Sequence, residues 1–144
     1  MIKIICIGKL KEKYLSDGVN DYLNRIKKYH KIELIELADS NIDNEGNEIL
    51  KHLSNKEYII SLAIKGTDLW SVDLAEKIDK TFINNSNITF IIGGSNGIRE
   101  DILNKSHMLL SFSKLTYPHG LFRLMLLEQI YRSFKILNNE SYHK

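Results

Sequence analysis

Three near-continuous apolar runs end in glycine: IKIICI before Gly8, YIISLAI before Lys65-Gly66, and ITFII before Gly93-Gly94. A strand with one wet face alternates apolar and polar residues, whereas a strand covered on both faces does not. Helical stripes separate these runs. One carries Leu15, Val19, Tyr22, Leu23 and Ile26; another starts at Ser71 with Asp73 and turns Ala75, Ile78 and Phe82 inward. Strand and helix in alternation specify an α/β fold, a parallel sheet flanked by helices. The rest of the pattern adds a strand over 32–37 and a polar loop from Asp39 to Asn47. A short helix with Ile49, Leu50 and Leu53 on one face follows, then a helix over 98–105 and a strand over 108–112. A last helix over 120–137 has Leu127, Ile130, Tyr131 and Phe134 on one stripe. No repeat or linker interrupts the chain, so residues 1–144 read as a single domain.

Composition narrows the class. Hydrophobic residues are 43% and charged residues 26% of the chain, ordinary values for a globular protein, and no apolar run is long enough to span a membrane. The opening strand has six residues before Gly8 and lacks a signal peptide's apolar core and cleavage site, so a cytoplasmic location is expected. Cys6, the one cysteine, reads as a buried, inert thiol. A net charge of +2 is not that of a strongly basic nucleic-acid binder, so phosphate contacts would come from local clusters. Lys9, Lys11 and Lys13 form one such cluster, in the loop after the first strand at the start of a helix. That placing suits phosphate; the bland alternative is a solvated turn.

In open parallel sheets, ligands bind beyond the carboxyl ends of the strands. Here those ends are Gly8, Lys65-Gly66, Gly93-Gly94 and Ser113 to Pro118. The turn GGSNG fits the G-x-S-x-G nucleophile elbow of serine hydrolases, with Ser95, Asp101 and His107 or His119 as a possible triad. The competing reading is a glycine turn whose backbone amides approach a ligand, with Ser95 or Asn96 capping the next helix. Neither a dinucleotide fingerprint nor a P-loop is present, and the five histidines lack metal-ligand spacing, so no metal is expected. Arg123 interrupts the apolar LFRLMLL and requires a partner, solvent or a subunit interface. Glu128 and Arg132 can pair one helical turn apart. So apolar a helix is either wrapped by its own chain or covered by a second subunit; a homodimer is expected. The terminal NNESYHK is either a frayed end or an aromatic and an imidazole delivered to a neighbouring site.

Taken together, IGKLKEKYLSDGVNDYLNRIKKY, FIIGGSNGI, LSFSKLTYPHGLFRLMLLEQIYRSFKIL and the terminal YHK resemble the bacterial 23S rRNA (pseudouridine-N3) methyltransferase H family, of the SPOUT class. The resemblance spans the chain, and its last two segments are the specific ones. It implies a C-terminal trefoil knot, a homodimer and S-adenosyl-L-methionine as cofactor. Pattern rules would not suggest the knot, because knots are nearly absent from folds. Carried over by motif, the cofactor contacts are Leu62, Gly94, Ser113, Lys114, Leu115, Thr116, Tyr117 and Pro118. Two positions depart from the family pattern: Ala63, where many relatives carry an acid, and Tyr117, where leucine is common.

The implied reaction is methylation of a pseudouridine N3 in 23S rRNA of the assembled ribosome. That imide nitrogen is a poor nucleophile until its proton leaves, so a base or a stabiliser of the developing anion is useful. His143 is the expected base, with His119 as the other candidate and Tyr142, Arg123 and Arg132 orienting. Lys9, Lys11, Lys13 and Arg132 are the expected RNA contacts. A serine hydrolase and a non-catalytic ribosome-assembly factor are the alternatives.

Overall fold

The computed structural model describes residues 1–144. Five strands, β1 (Ile2–Ile7), β2 (Ile32–Leu37), β3 (Glu57–Asp68), β4 (Asn87–Ile92) and β5 (Met108–Ser111), form one sheet in the order β2-β1-β4-β3-β5. Every pairing is parallel. The helices are α1 (Lys13–Lys27), α2 (Ile42–Leu50), α3 (Ser71–Asn84), α4 (Glu100–Lys105) and α5 (His119–Leu137).

The apolar runs are explained by layers on both faces. Val19 and Ile26 of α1, Leu74 and Ile78 of α3, and Leu126, Leu127, Ile130 and Phe134 of α5 share one core with Ile4, Ile60 and Phe90 of the sheet. On the other face, Ile49 of α2 and Ile102 of α4 meet Ile5, Ile7, Ile59 and Ile91. Crossovers running one way along the sheet thus place their helices on one face, and those running the other way on the opposite face, as a single hand of crossover requires. After β5 the chain returns to the first face, where α5 packs against both α1 and α3. Gly18 of α1 faces Leu124 so closely that an added Cβ would lie 3.1 Å from it. Most of the apolar face of α5 is therefore covered by its own chain.

Local boundaries differ from expectation for identifiable reasons. The third strand does not stop at Lys65-Gly66. Leu62 and Thr67 both pair with Leu110, so Ala63 to Gly66 bulge out and the strand resumes to Asp68. Gly66 serves close approach rather than termination: a Cβ there would sit 2.6 Å from the backbone of Leu109. Helix α4 starts at Glu100 with Arg99 as its N-cap, and neither Ser95 nor Asn96 caps it. The Asn96 side chain instead donates to the Ser40 carbonyl at 3.2 Å. In α3 the cap position is Trp70, and Ser71 Oγ donates to Gln129 Oε1 of α5 at 2.7 Å.

Candidate functional site

The residues expected to hold the cofactor fall on three neighbouring strands. Gly94 follows β4, Leu62 lies in β3 where the bulge begins, and Ser113 to Pro118 follow β5. Since β4, β3 and β5 are adjacent in the sheet, the three segments share its carboxyl edge within about 10 Å, two strand spacings.

Backbone dominates this edge. Gly97 has φ +76°, its N–H donates to the Gly94 carbonyl at 3.0 Å, and a Cβ on Gly93 would lie 2.7 Å from the Gly97 oxygen. Only glycine closes so tight a turn without strain. A Cβ on Gly94 would meet Ile7 at 2.8 Å. In the 113–118 loop, Leu115 N–H donates to Ser113 Oγ at 2.9 Å, and Ser113 Oγ pairs with the Tyr117 hydroxyl at 2.8 Å. Tyr117 packs its ring on Phe122 at 5.9 Å between centroids, so the residue that departs from the family pattern closes its own loop. The backbone N–H groups of Ser113, Lys114, Thr116 and Tyr117 donate to nothing within the chain. Closely approached glycines and unpaired loop amides suit a flat ligand with polar edges, so the residues fit an adenosine-bearing cofactor.

Beside this edge lies a cleft of about 330 Å³ between the start of α3, the end of β5 and α5, lined among others by Trp70, Ser111, Phe112, Glu128 and Gln129. The terminal residues converge at its Glu128 wall. Arg132 donates to Glu128 through Nε at 2.9 Å and Nη2 at 2.5 Å, and through Nη1 to His143 Nδ1 at 3.1 Å. Its guanidinium lies 4.8 Å from the Tyr142 ring centroid, and the Tyr142 hydroxyl donates to Glu128 Oε1 at 3.3 Å. Burial, hydrogen bonding with Tyr22 and the Glu128 carboxylate push the Tyr142 phenol well above its ordinary pKa. Tyr142, His143 and Arg132 are thus brought together. The tail lies along its own α5, with Tyr142 edge-on to Tyr131 at 5.0 Å.

Arg123 stands apart from that group. It is 1% exposed, donating through Nη1 to Glu36 Oε2 at 2.5 Å and through Nη2 to the Gly8 carbonyl at 2.9 Å. No surface of it is open to a substrate in this chain. Lys9 and Lys11 are exposed, and Lys13 is exposed and pairs with Asp17 at 2.5 Å. His119 is the exposed first residue of α5. The hydrolase constellation is not assembled: Asp101 pairs with Arg99, and His107 Nδ1 accepts the Ile59 N–H at 2.9 Å.

Sequence reasoning missed Glu36, Trp70 and Gln129. Glu36 lies 87 residues from Arg123, beyond any local pattern. Trp70 carried a signal that was available: it is the only tryptophan, in a polar segment at a helix start, and it is 83% exposed.

Comparison with known proteins identifies the family. The family described as "Predicted SPOUT methyltransferase" matches residues 1–143. The ribosomal RNA large subunit methyltransferases H of Clostridium botulinum (strain Alaska E43 / Type E3) and Enterococcus faecalis (strain ATCC 700802 / V583) are 45% and 43% identical, over 99% of this chain and of each relative. A relative from Methanococcus maripaludis (strain C5 / ATCC BAA-1333) is 48% identical with the same coverage. Among solved structures, that of "a probable methylase family protein" from Haemophilus influenzae Rd KW20 superposes with a TM-score of 0.57 at 16% identity, over 96% of this chain and 66% of that one, a likeness of fold. A parallel sheet with a backbone-lined carboxyl edge, in this company, is a methyltransferase of the SPOUT class. Within that class the chain belongs to the large subunit methyltransferase H family.

Proposed function

We propose that this protein uses S-adenosyl-L-methionine to methylate N3 of a pseudouridine in 23S rRNA of the assembled ribosome, as a cytoplasmic homodimer with a C-terminal trefoil knot. The observation that carries the reading is the convergence of Leu62, Gly94 and the 113–118 loop on three adjacent strand ends. The knot follows from family membership.

When bound, the cofactor supplies a methyl group on a cationic sulfur. Leu62, Gly94 and the free amides of the 113–118 loop would hold it, and alignment of the target nitrogen with that methyl supplies most of the rate. The tail cluster assists through charge. Arginine can only donate, so His143 Nδ1 must accept and its ring proton resides on Nε2. In this arrangement His143 offers a donor, which stabilises the anion developing on the nucleobase while the imide proton leaves to solvent. Tyr142, held protonated, spends its one proton on Glu128 and orients the cluster. Of the exposed large apolar side chains, Ile64, Trp70, Val72, Leu115 and Leu121 lie around the bulge, the start of α3 and the cofactor loop and support a second copy there, while Tyr14, Ile42 and Ile83 lie on other elements.

Incubating ribosomes with labelled S-adenosyl-L-methionine and mapping the modified nucleotide by mass spectrometry tests the proposal. Label on a pseudouridine N3 of 23S rRNA is the expected result. Ribosomes left unlabelled would instead favour a non-catalytic assembly factor.

A further inference from the structure

We propose that Arg123 is a positioning residue that fixes the backbone around Lys9 relative to the cofactor loop, so that Lys9 meets an RNA phosphate in a set register. The inference rests on the RNA substrate proposed above. Its basis is a four-member network that joins three elements. The guanidinium of Arg123 on α5 donates to the Gly8 carbonyl at 2.9 Å and to Glu36 Oε2 on β2 at 2.5 Å. The same Glu36 oxygen accepts the Leu10 N–H at 3.2 Å. The backbone groups flanking Lys9 on both sides are therefore clamped, while Lys9 itself is exposed. Gly8 has φ +99°, so the turn leaves β1 in a conformation open to glycine.

The other end of the network reaches the cofactor edge. Arg123 lies one turn into α5, whose N-cap is Pro118, the last residue of the cofactor loop. In that first turn a Cβ on Gly120 would meet Leu10 at 2.8 Å and Leu15 at 2.9 Å, so the Lys9 turn also rests on α5 sterically. Asp39 lies against both Gly8 and Gly94: its carboxylate oxygens would be 3.3 Å from a Cβ on the first and 3.4 Å from one on the second. A purely structural role accounts poorly for the arrangement. A buried guanidinium is costly, its Nε finds no partner, and an apolar side chain would fill the place at lower cost.

The test compares Arg123→Met, Arg123→Lys, Glu36→Gln and Lys9→Ala in ribosome methylation, cofactor affinity and hydrogen exchange of residues 8–12. Arg123→Met is expected to raise KM for ribosomes about tenfold, as Lys9→Ala does, with kcat and cofactor affinity within about twofold of wild type. Exchange at Lys9 and Leu10 should quicken, Arg123→Lys should recover part of the loss, and the Lys9→Ala/Arg123→Met double variant should be no worse than either single one. Glu36→Gln, which leaves the guanidinium on Gly8, carries the same test if Arg123→Met does not fold. A variant that melts at lower temperature with KM and exchange unchanged overturns the inference, as does additivity in the double variant. If wild-type protein leaves ribosomes unmethylated, the reading of the reaction fails instead, and the RNA role of Lys9 falls with it.

Discussion

The two ends of the parallel sheet are built on opposite principles. At the amino-terminal end, side chains stitch strands together. Glu57, 5% exposed, pairs with Lys3 at 2.7 Å, accepts from Thr89 Oγ1, and takes the Ser54 N–H at 2.5 Å. Lys3 also donates to the His52 carbonyl, and the Met1 ammonium to that of Ser86. At the carboxyl-terminal end, outside the Arg123–Glu36 clamp over β1 and β2, the ends of β4, β3 and β5 carry glycines, a bulge and loop amides with no partner. One end is satisfied internally and holds the fold. The other leaves backbone groups to be satisfied by something else, which is where chemistry can be placed.

Substitutions can break that contrast from either side. The largest effect is expected of Gly94→Val: with a Cβ already 2.8 Å from Ile7, the added methyls close the cofactor edge, and labelled methyl transfer should fall to background while circular dichroism stays native. At the stitched end, Glu57→Gln should lower stability by about 3 kcal/mol in urea titrations, because it strands the ammonium of Lys3. Burial alone would raise the Glu57 pKa, but the bonds from Lys3, Thr89 and Ser54 outweigh it and the net shift is downward. A carboxylate depressed by folding stabilises above its unfolded pKa and loses that contribution as pH falls through the folded value. Wild type should therefore lose stability on acidification below the usual glutamate range, and Glu57→Gln should flatten that limb.

His143→Ala should lower kcat by about a hundredfold. His143→Gln, which keeps an N–H donor, should restore part of it if the ring acts as a stabiliser; a base would leave Gln as poor as Ala. The smallest effect is at the rim, where Lys9→Ala should weaken ribosome binding about tenfold and reduce the slope of log affinity against log salt by about 1. A salt-independent affinity in the wild type would remove the basic turn from the interface.

The layering was legible because it arises from residue type at short period, whereas the stitched end joins Lys3, Glu57 and Thr89 across the chain and left no local pattern. IKIICI and ITFII cannot be half-wet strands, and the stripe from Leu15 to Ile26 can only face a core. The carboxyl edge was legible in its glycines and in the resemblance of its motifs. Its geometry was less so. Gly66 looked like a stop because a glycine after an apolar run usually is one; here it admits the Leu109 backbone, a contact between strands far apart in sequence. Ser95 and Asn96 looked like caps because the next apolar position is near, yet the Asn96 amide is taken by Ser40 across a loop. Arg123 announced only that it needed something, and its partner Glu36 lies on β2, distant in sequence.

Trp70 has one more consequence. It is the sole tryptophan, and it stands on the rim of the cleft with its indole in water. All indole emission therefore originates at that rim. A nucleotide stacking there, or a second copy settling over it, would register as a quench or a blue shift in the unlabelled native protein. The chain carries its own optical reporter at the mouth of its candidate site.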